Sequence, residues 1–299
     1  MRDGHKSYMY KWEPEDDIKA LGVVHLVHGS CEHSKRYIEF ANFLTNNGYI
    51  VYSSDLRGHG LSVSSEEELG YFGEKNGWTN LVDDLHEVTE FIKKEHQGLK
   101  VFMLGHSMGS FLARNYGMVY GGDINGLIAT GTAQNPKPIL KFAKFLAERD
   151  IKKTGGKRRN ELLNKMSYDS FNNQFKPMRT DKDWLTRDEK IVEEYIEDKF
   201  CGYVFTSSGF RDMFDGLLFI TNKNNIKNAP KNLPILLLSG GNDPVGGNGK
   251  MIKKAYNDYK KYGITNIKMK LYEGMRHEIL NEIGKEEVYK DILTFLINN

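Results

Sequence analysis

One serine in this chain sits where a hydroxyl can be made to attack. Gly105-His106-Ser107-Met108-Gly109 follows the apolar run Val101 to Leu104 and precedes a helical stretch, Ser110 to Val119. A strand that turns sharply into a helix leaves the residue at the turn exposed and strained, and the flanking glycines let neighbouring backbone approach. The motif is short, but strand, turn and helix are all legible around it. A serine hydroxyl is weakly nucleophilic at neutral pH. It needs a base within about 3 Å, and the base needs an orienting carboxylate. Asp243 stands in GGNDPVG, just beyond the apolar run Ile235 to Ser239, and His277 stands in YEGMRHEIL, just beyond Ile267 to Leu271. His277 is also the only histidine after His106, so a base from the C-terminal part has no rival. A turn-forming Asp before Pro244 and a helix-start histidine are the ordinary alternatives. The order serine, acid, histidine outweighs them.

Acyl transfer through such a serine develops a negative oxygen that needs fixed donors. The amide of Met108, next after the serine, is one. The other is expected from the loop after Gly22 to Val27, which reads His28-Gly29-Ser30, and the Ser30 amide is the choice. His28 is expected to order that loop rather than to transfer protons. The two cysteines, Cys31 and Cys201, form neither a disulfide scaffold nor a metal-binding spacing, and Cys31 lacks a catalytic-cysteine context. No metal and no organic cofactor is expected.

These residues need elements to hold them. Residues 7 to 12 read as a short edge strand, with further strands at Gly22 to Val27, Tyr49 to Ser53, Lys100 to Leu104 and Gly126 to Thr130. Helices are expected between them at Lys35 to Asn46, Thr79 to His96 and Ser110 to Val119. On the second of these, Leu81, Leu85, Val88, Phe91 and Ile92 recur at helical spacing. Short apolar strands alternating with helices predict an α/β fold, a mostly parallel sheet covered on both faces. From Gly131 to Asn228 the chain turns helical, charged and irregular, and strands resume near Leu233. The expected division is a core in two parts, 1–130 and 229–299, interrupted by a helical cap at 131–228.

Composition narrows the function classes. The chain has 299 residues, with 42 Lys and Arg against 40 Asp and Glu, a net charge of +2. That balance gives no basic face for nucleic acid, so no such partner is expected. The densest basic run, Lys152, Lys153, Lys157, Arg158 and Arg159, reads as a solvated surface. The N-terminus has no apolar signal region, and no apolar stretch approaches the roughly 20 residues of a membrane helix, so a cytoplasmic location is the default expectation. Oligomeric state is not legible.

HGSCEHSKRY, SSDLRGHGLS, GHSMGS, GGNDPVGGNGK and YEGMRHEILNE, spread along the whole chain, resemble the monoacylglycerol lipase and lysophospholipase branch of the α/β-hydrolases, often labelled serine-aminopeptidase-like. FNNQFKPMRTDKDWLTRD resembles the cap of bacterial lysophospholipase-like members. The resemblance implies a mobile cap over Ser107, Asp243 and His277, Ser30 and Met108 as oxyanion donors, and a small acyl ester as substrate, a lysophospholipid or monoacylglycerol. It also implies that Glu32 and Arg36 shape the polar end near a glycerol-like head, although a salt bridge that merely holds the loop fits the same pair. Three positions depart from the animal lipases of that branch: Ser30-Cys31 stands where they resemble Ala-Gly, and Leu280 where they have a second histidine. Phe142 and Phe145 are expected to line an acyl tunnel. The Pro136 to Leu146 stretch pairs apolar with basic residues, which suits either transient membrane-surface contact or packing on the core. The alternatives are an aminopeptidase or amidase, whose α-amine site would draw on Glu148, Asp150, Asp181 or Asp183, and a non-catalytic ligand-binding relative.

Overall fold

The computed structural model describes all residues, 1–299. Its centre is a seven-stranded sheet: β1 (Met9–Trp12), β2 (Gly22–Val27), β3 (Tyr49–Ser54), β4 (Lys100–His106), β5 (Gly126–Thr130), β6 (Ile235–Gly240) and β7 (Ile267–Tyr272). The spatial order is β1-β3-β2-β4-β5-β6-β7, and only the β1–β3 pairing is antiparallel. The inner strands β2, β3, β5 and β6 are buried along their whole length. Residues of odd and even number in the strands feed two different cores. Val23, Val101, Met103 and Leu237 face one, while Val24, Phe102, Leu104 and Leu238 face the other. That is period-two alternation with helices over both faces. Strand β7 lies at an edge and exposes Lys268.

The helices are α1 (Ile38–Thr45), α2 (Gly77–Glu95), α3 (Met108–Val119), α4 (Lys137–Thr154), α5 (Glu161–Tyr168), α6 (Glu189–Glu197), α7 (Ser207–Ile220), α8 (Lys223–Asn228), α9 (Lys250–Lys261) and α10 (Lys285–Ile297). On α2 the stripe Leu81, Leu85, Val88 and Ile92 is buried, but Phe91 is exposed, because it falls outside the 3.6-residue phase of that stripe.

Helices α4 to α8 lie between β5 and β6, and they divide by environment. Helix α7 packs on α2, α3 and α4, and its Phe210, Met213, Phe214 and Leu217 join the core on one face of the sheet. Leu140 and Ala147 of α4 join the same core. A separate small cluster, Trp184, Leu185, Tyr195 and Cys201, has Tyr168, Phe171 and Phe175 packed against it. No helix is long and apolar enough to cross a membrane.

Strand β2 pairs with β3 on one side and β4 on the other, so the winding of the sheet reverses there. Ligands bind in open α/β sheets at the carboxyl ends of strands beside such a reversal. Val27 pairs with Gly105, which sets the loop after β2 beside the turn after β4.

Candidate active site

Ser107 is the single residue between β4 and α3, with φ 51° and ψ −119°. A side chain seldom adopts a positive φ, and such strain costs on the order of 1–3 kcal/mol. The packing enforces it. A Cβ on Gly109 would stand 2.2 Å from the Val27 carbonyl oxygen and 2.4 Å from that of His28, and one on Gly105 would stand 2.1 Å from the Gly109 carbonyl oxygen. Only glycine lets α3 press this closely on the end of β2.

Asp243 follows β6 and is fully buried. Its Oδ1 accepts from His277 Nδ1 at 3.0 Å and from the Val245 amide at 2.9 Å, and its Oδ2 accepts from Ser239 Oγ at 3.0 Å. Burial opposes ionisation of Asp243, but the facing imidazole and these donors hold its carboxyl below the usual range. His277 lies after β7. Burial opposes its protonation, yet the Asp243 carboxylate outweighs that and raises its pKa above the ordinary value. Ser107 and His277 line one cavity. The Asp243–His277 bond is formed, whereas no hydrogen bond joins Ser107 Oγ to the imidazole; such contacts commonly tighten only with substrate bound.

The imidazole is boxed in. The Trp184 ring centroid lies 5.2 Å away and that of His106 4.7 Å away. Burial, and next the charge of His277, push the pKa of His106 down to about 4, so it stays neutral, with Nδ1 3.0 Å from Thr130 Oγ1. Gly131 has φ +61°, and a Cβ there would stand 2.9 Å from His277 Cε1. The segment Trp184-Leu185 straps the histidine loop from above: the Glu278 amide donates to the Leu185 carbonyl at 2.7 Å, and that of His277 to Trp184 at 3.4 Å.

The loop after β2 is held as the sequence suggests. His28 Nε2 accepts from the Leu56 amide at 2.9 Å, and Nδ1 donates to its neighbour's Gly29 carbonyl at 2.8 Å. Both ring nitrogens are thereby committed to loop structure. The Ser30 amide has no acceptor within the protein, and the Met108 amide is the first of α3, where no intrahelical acceptor exists. Tyr168 donates from its hydroxyl to Ser30 Oγ at 3.3 Å. Burial pushes the Cys31 thiol far up, which leaves it a poor nucleophile.

Several expectations need correction. Phe142 and Phe145 are 57% and 55% exposed and line no part of the cavity. Helix α4 turns Leu140, Ala143 and Ala147 inward at spacings of three and four, so both phenylalanines point away. Arg36 does not line the cavity either; it is spent on ion pairs with Glu32 and Glu278, while Glu32 borders the cavity from within that network. Of the carboxylates considered for an α-amine site, only Asp181 reaches the cavity, and it pairs with Lys182 at 2.6 Å. Asp183 accepts from the Arg179 amide at 2.7 Å, Asp150 from Ser207 Oγ, and Glu148 faces Lys144 at 3.6 Å.

The cavity measures about 640 Å³. Tyr168, Trp184, Leu185, Tyr195 and Tyr203 form its apolar wall, while Asn164, Asn173, Thr180, Arg179 and Lys182 bring polarity. Reasoning from sequence missed Tyr168 and Glu278, and counted Trp184 only among the many apolar residues of the insertion, some to pack on the core and some to line a tunnel. Glu278 carried one signal, its place directly after the histidine; nothing singled Trp184 out from the other aromatic residues. The three residues of metal-ligating type outside the site, His33, Asp198 and Cys201, come within 4.8 Å of one another, but His33 Nε2 already bonds Asp198 at 2.8 Å and burial keeps the Cys201 thiol protonated.

The family model described as "Serine aminopeptidase, S33" matches residues 18–284. A monoacylglycerol lipase of Mycolicibacterium smegmatis is 25% identical over 296 residues, covering 96% of this chain and 91% of its own. A phospholipase of Bacillus subtilis is 24% identical over 289 residues, covering 96% of this chain and 98% of its own. Among solved structures, a thermostable carboxyl esterase from Bacillus coagulans in complex with glycerol superposes with a TM-score of 0.91 at 26% identity, covering 99% of this chain and 94% of that one.

Proposed function

The chain belongs to the serine aminopeptidase S33 family, with the α/β-hydrolase fold, and from that premise we propose that it hydrolyses lipid-like monoacyl esters through an acyl-enzyme on Ser107. The observation that carries the reading is the buried Asp243–His277 hydrogen bond, whose histidine lines one cavity with a serine on a strained strand-to-helix turn. His277 takes the Ser107 proton as the hydroxyl attacks the ester carbonyl. Asp243 holds the imidazole with Nδ1 protonated and stabilises the imidazolium. The Ser30 and Met108 amides receive the developing oxyanion. His277 then protonates the departing alcohol, and water activated by the same imidazole releases the acid. The segment around α5, Trp184 and α6 acts as the cap, and its aromatic wall receives the acyl group.

Monoacylglycerol and lysophospholipid both fit this chemistry. The dispersal of the candidate carboxylates favours esters over α-amino amides. A second element concerns the surface: Ile139, Phe142 and Phe145 lie exposed on the side of α4 that also carries Arg149, Lys152 and Lys153. We assign this face to transient contact with an anionic lipid surface, the source of such esters. The test combines fluorophosphonate labelling of Ser107 with hydrolysis of monoacylglycerols, lysophospholipids, p-nitrophenyl esters and aminoacyl amides. Labelling with ester turnover supports the reading; preference for the amides overturns it.

A further inference from the structure

Beneath the histidine loop lies a buried ion cluster that the reaction as described does not use. Arg36 donates from Nη1 to Glu32 Oε2 at 2.6 Å, and grips Glu278 with two parallel bonds of 2.7 Å. The side chains of Arg36, Glu32 and Glu278 are only 10%, 3% and 4% exposed. Oε1 of Glu32 accepts from Tyr37 at 2.7 Å and from the Gly29 amide at 2.5 Å, and Glu278 Oε2 also accepts from Asn281 at 3.1 Å. Tyr195 lies under the guanidinium, with its ring centroid at 4.8 Å. One guanidinium thus serves two carboxylates that are almost fully buried at the edge of the cavity. One carboxylate braces the loop of Gly29 and Ser30, and the other belongs to the residue after His277.

We propose that Arg36 is a positioning residue that locks the oxyanion loop to the histidine loop and, by dividing its charge between Glu32 and Glu278, sets the pH at which His277 becomes a competent base. The inference rests on the reading of His277 as that base. The charged and titratable groups around the imidazole are Asp243 from the loop after β6, His106 from β4, Glu32 from the loop after β2, and Glu278 on its own loop, with Arg36 behind the last two. Removing the guanidinium leaves two carboxylates that favour the imidazolium. Removing the charge of Glu278 leaves the guanidinium matched by Glu32 alone. The two changes therefore push His277 in opposite directions, which loss of structure does not do.

The experiment is kcat/KM against pH with a short-chain p-nitrophenyl ester, for wild type, Glu278→Gln, Arg36→Met and Arg36→Lys. The acid limb is expected to move down in E278Q and up in R36M, each by on the order of half a pH unit. R36K keeps the charge and loses the fork, so its limb stays near wild type while kcat falls several-fold and KM changes little. Coincident limbs for folded E278Q and wild type, or shifts of one sign in E278Q and R36M, overturn the proposal. Should R36M fail to fold, E278Q and R36K decide by the same limbs. Fluorophosphonate labelling separates the premise: an unlabelled wild type with turnover surviving Ser107→Ala removes the base assignment itself, independently of any limb.

Discussion

The two halves of the site are held in different ways. The nucleophile turn is built from one contiguous stretch, and its strained serine is fixed by glycines that let α3 approach β2. The histidine loop is held from afar: by Asp243, 34 positions away, by Arg36, 242 positions away, and by the carbonyls of Trp184 and Leu185 in the insertion. A local steric device sets Ser107, and long-range hydrogen bonds and ion pairs set His277. Substitutions at Ser107 and at Asp243, whose bond orients the imidazole directly, should therefore remove chemistry outright, and those in the outer ion pairs and strap of the histidine loop should grade it.

The largest expected effect belongs to the nucleophile half. Ser107→Ala removes a half-exposed hydroxyl and little packing, so the protein should remain folded while turnover falls by on the order of 10⁴ or more. Near-wild-type ester hydrolysis by the purified variant would sink the assignment. On the histidine half, Asp243→Asn should leave a folded protein whose acylation slows by about 10⁴, because an amide no longer selects the tautomer protonated on Nδ1. Pre-steady-state acylation rates check this, with Asp55→Asn and Asp212→Asn as controls expected to fall outside that range.

Smaller and graded is the response to pH. As the proposed base, His277 works as the neutral imidazole, and its pKa is raised above its ordinary 6.5. Rate should fall about tenfold per unit below that raised value, so the acid limb of kcat/KM should lie above pH 6.5. A limb at or below 6.5 would mean that Asp243 does not outweigh burial. The smallest effects concern the insertion. Each methylene packed against the aromatic wall contributes about 0.8 kcal/mol, so kcat/KM should rise a few-fold at most per added methylene until the cavity is full. Trp184→Ala should flatten that rise, and Phe142→Ala should leave it intact. Monomeric esters of short, medium and long chain give the measurement, and loss of the rise in F142A would return the tunnel to α4.

The sheet, the serine turn and the pairing of Asp243 with His277 were legible in the sequence alone. The reason is local: an unbroken apolar run, a glycine-flanked serine and a helix start are each written within about ten residues, and a parallel sheet brings the ends of its strands to one edge. Strand bounds were legible for β2 and β5 to the residue, while β4 runs two residues beyond Leu104 because it continues pairing with β5 up to His106–Thr130. What only the tertiary structure decided is which residues of the insertion meet the site. Phe142 and Phe145 have the right chemistry and the wrong helical phase. Trp184 lies in a segment with no periodicity and reaches the imidazole only because its neighbours hydrogen-bond the histidine loop. The role of Arg36 was equally hidden: its pairing with Glu32 four residues before it is visible in the chain, but its second partner, Glu278, becomes a neighbour only when β2 and β7, distant in sequence, end on the same side of one sheet.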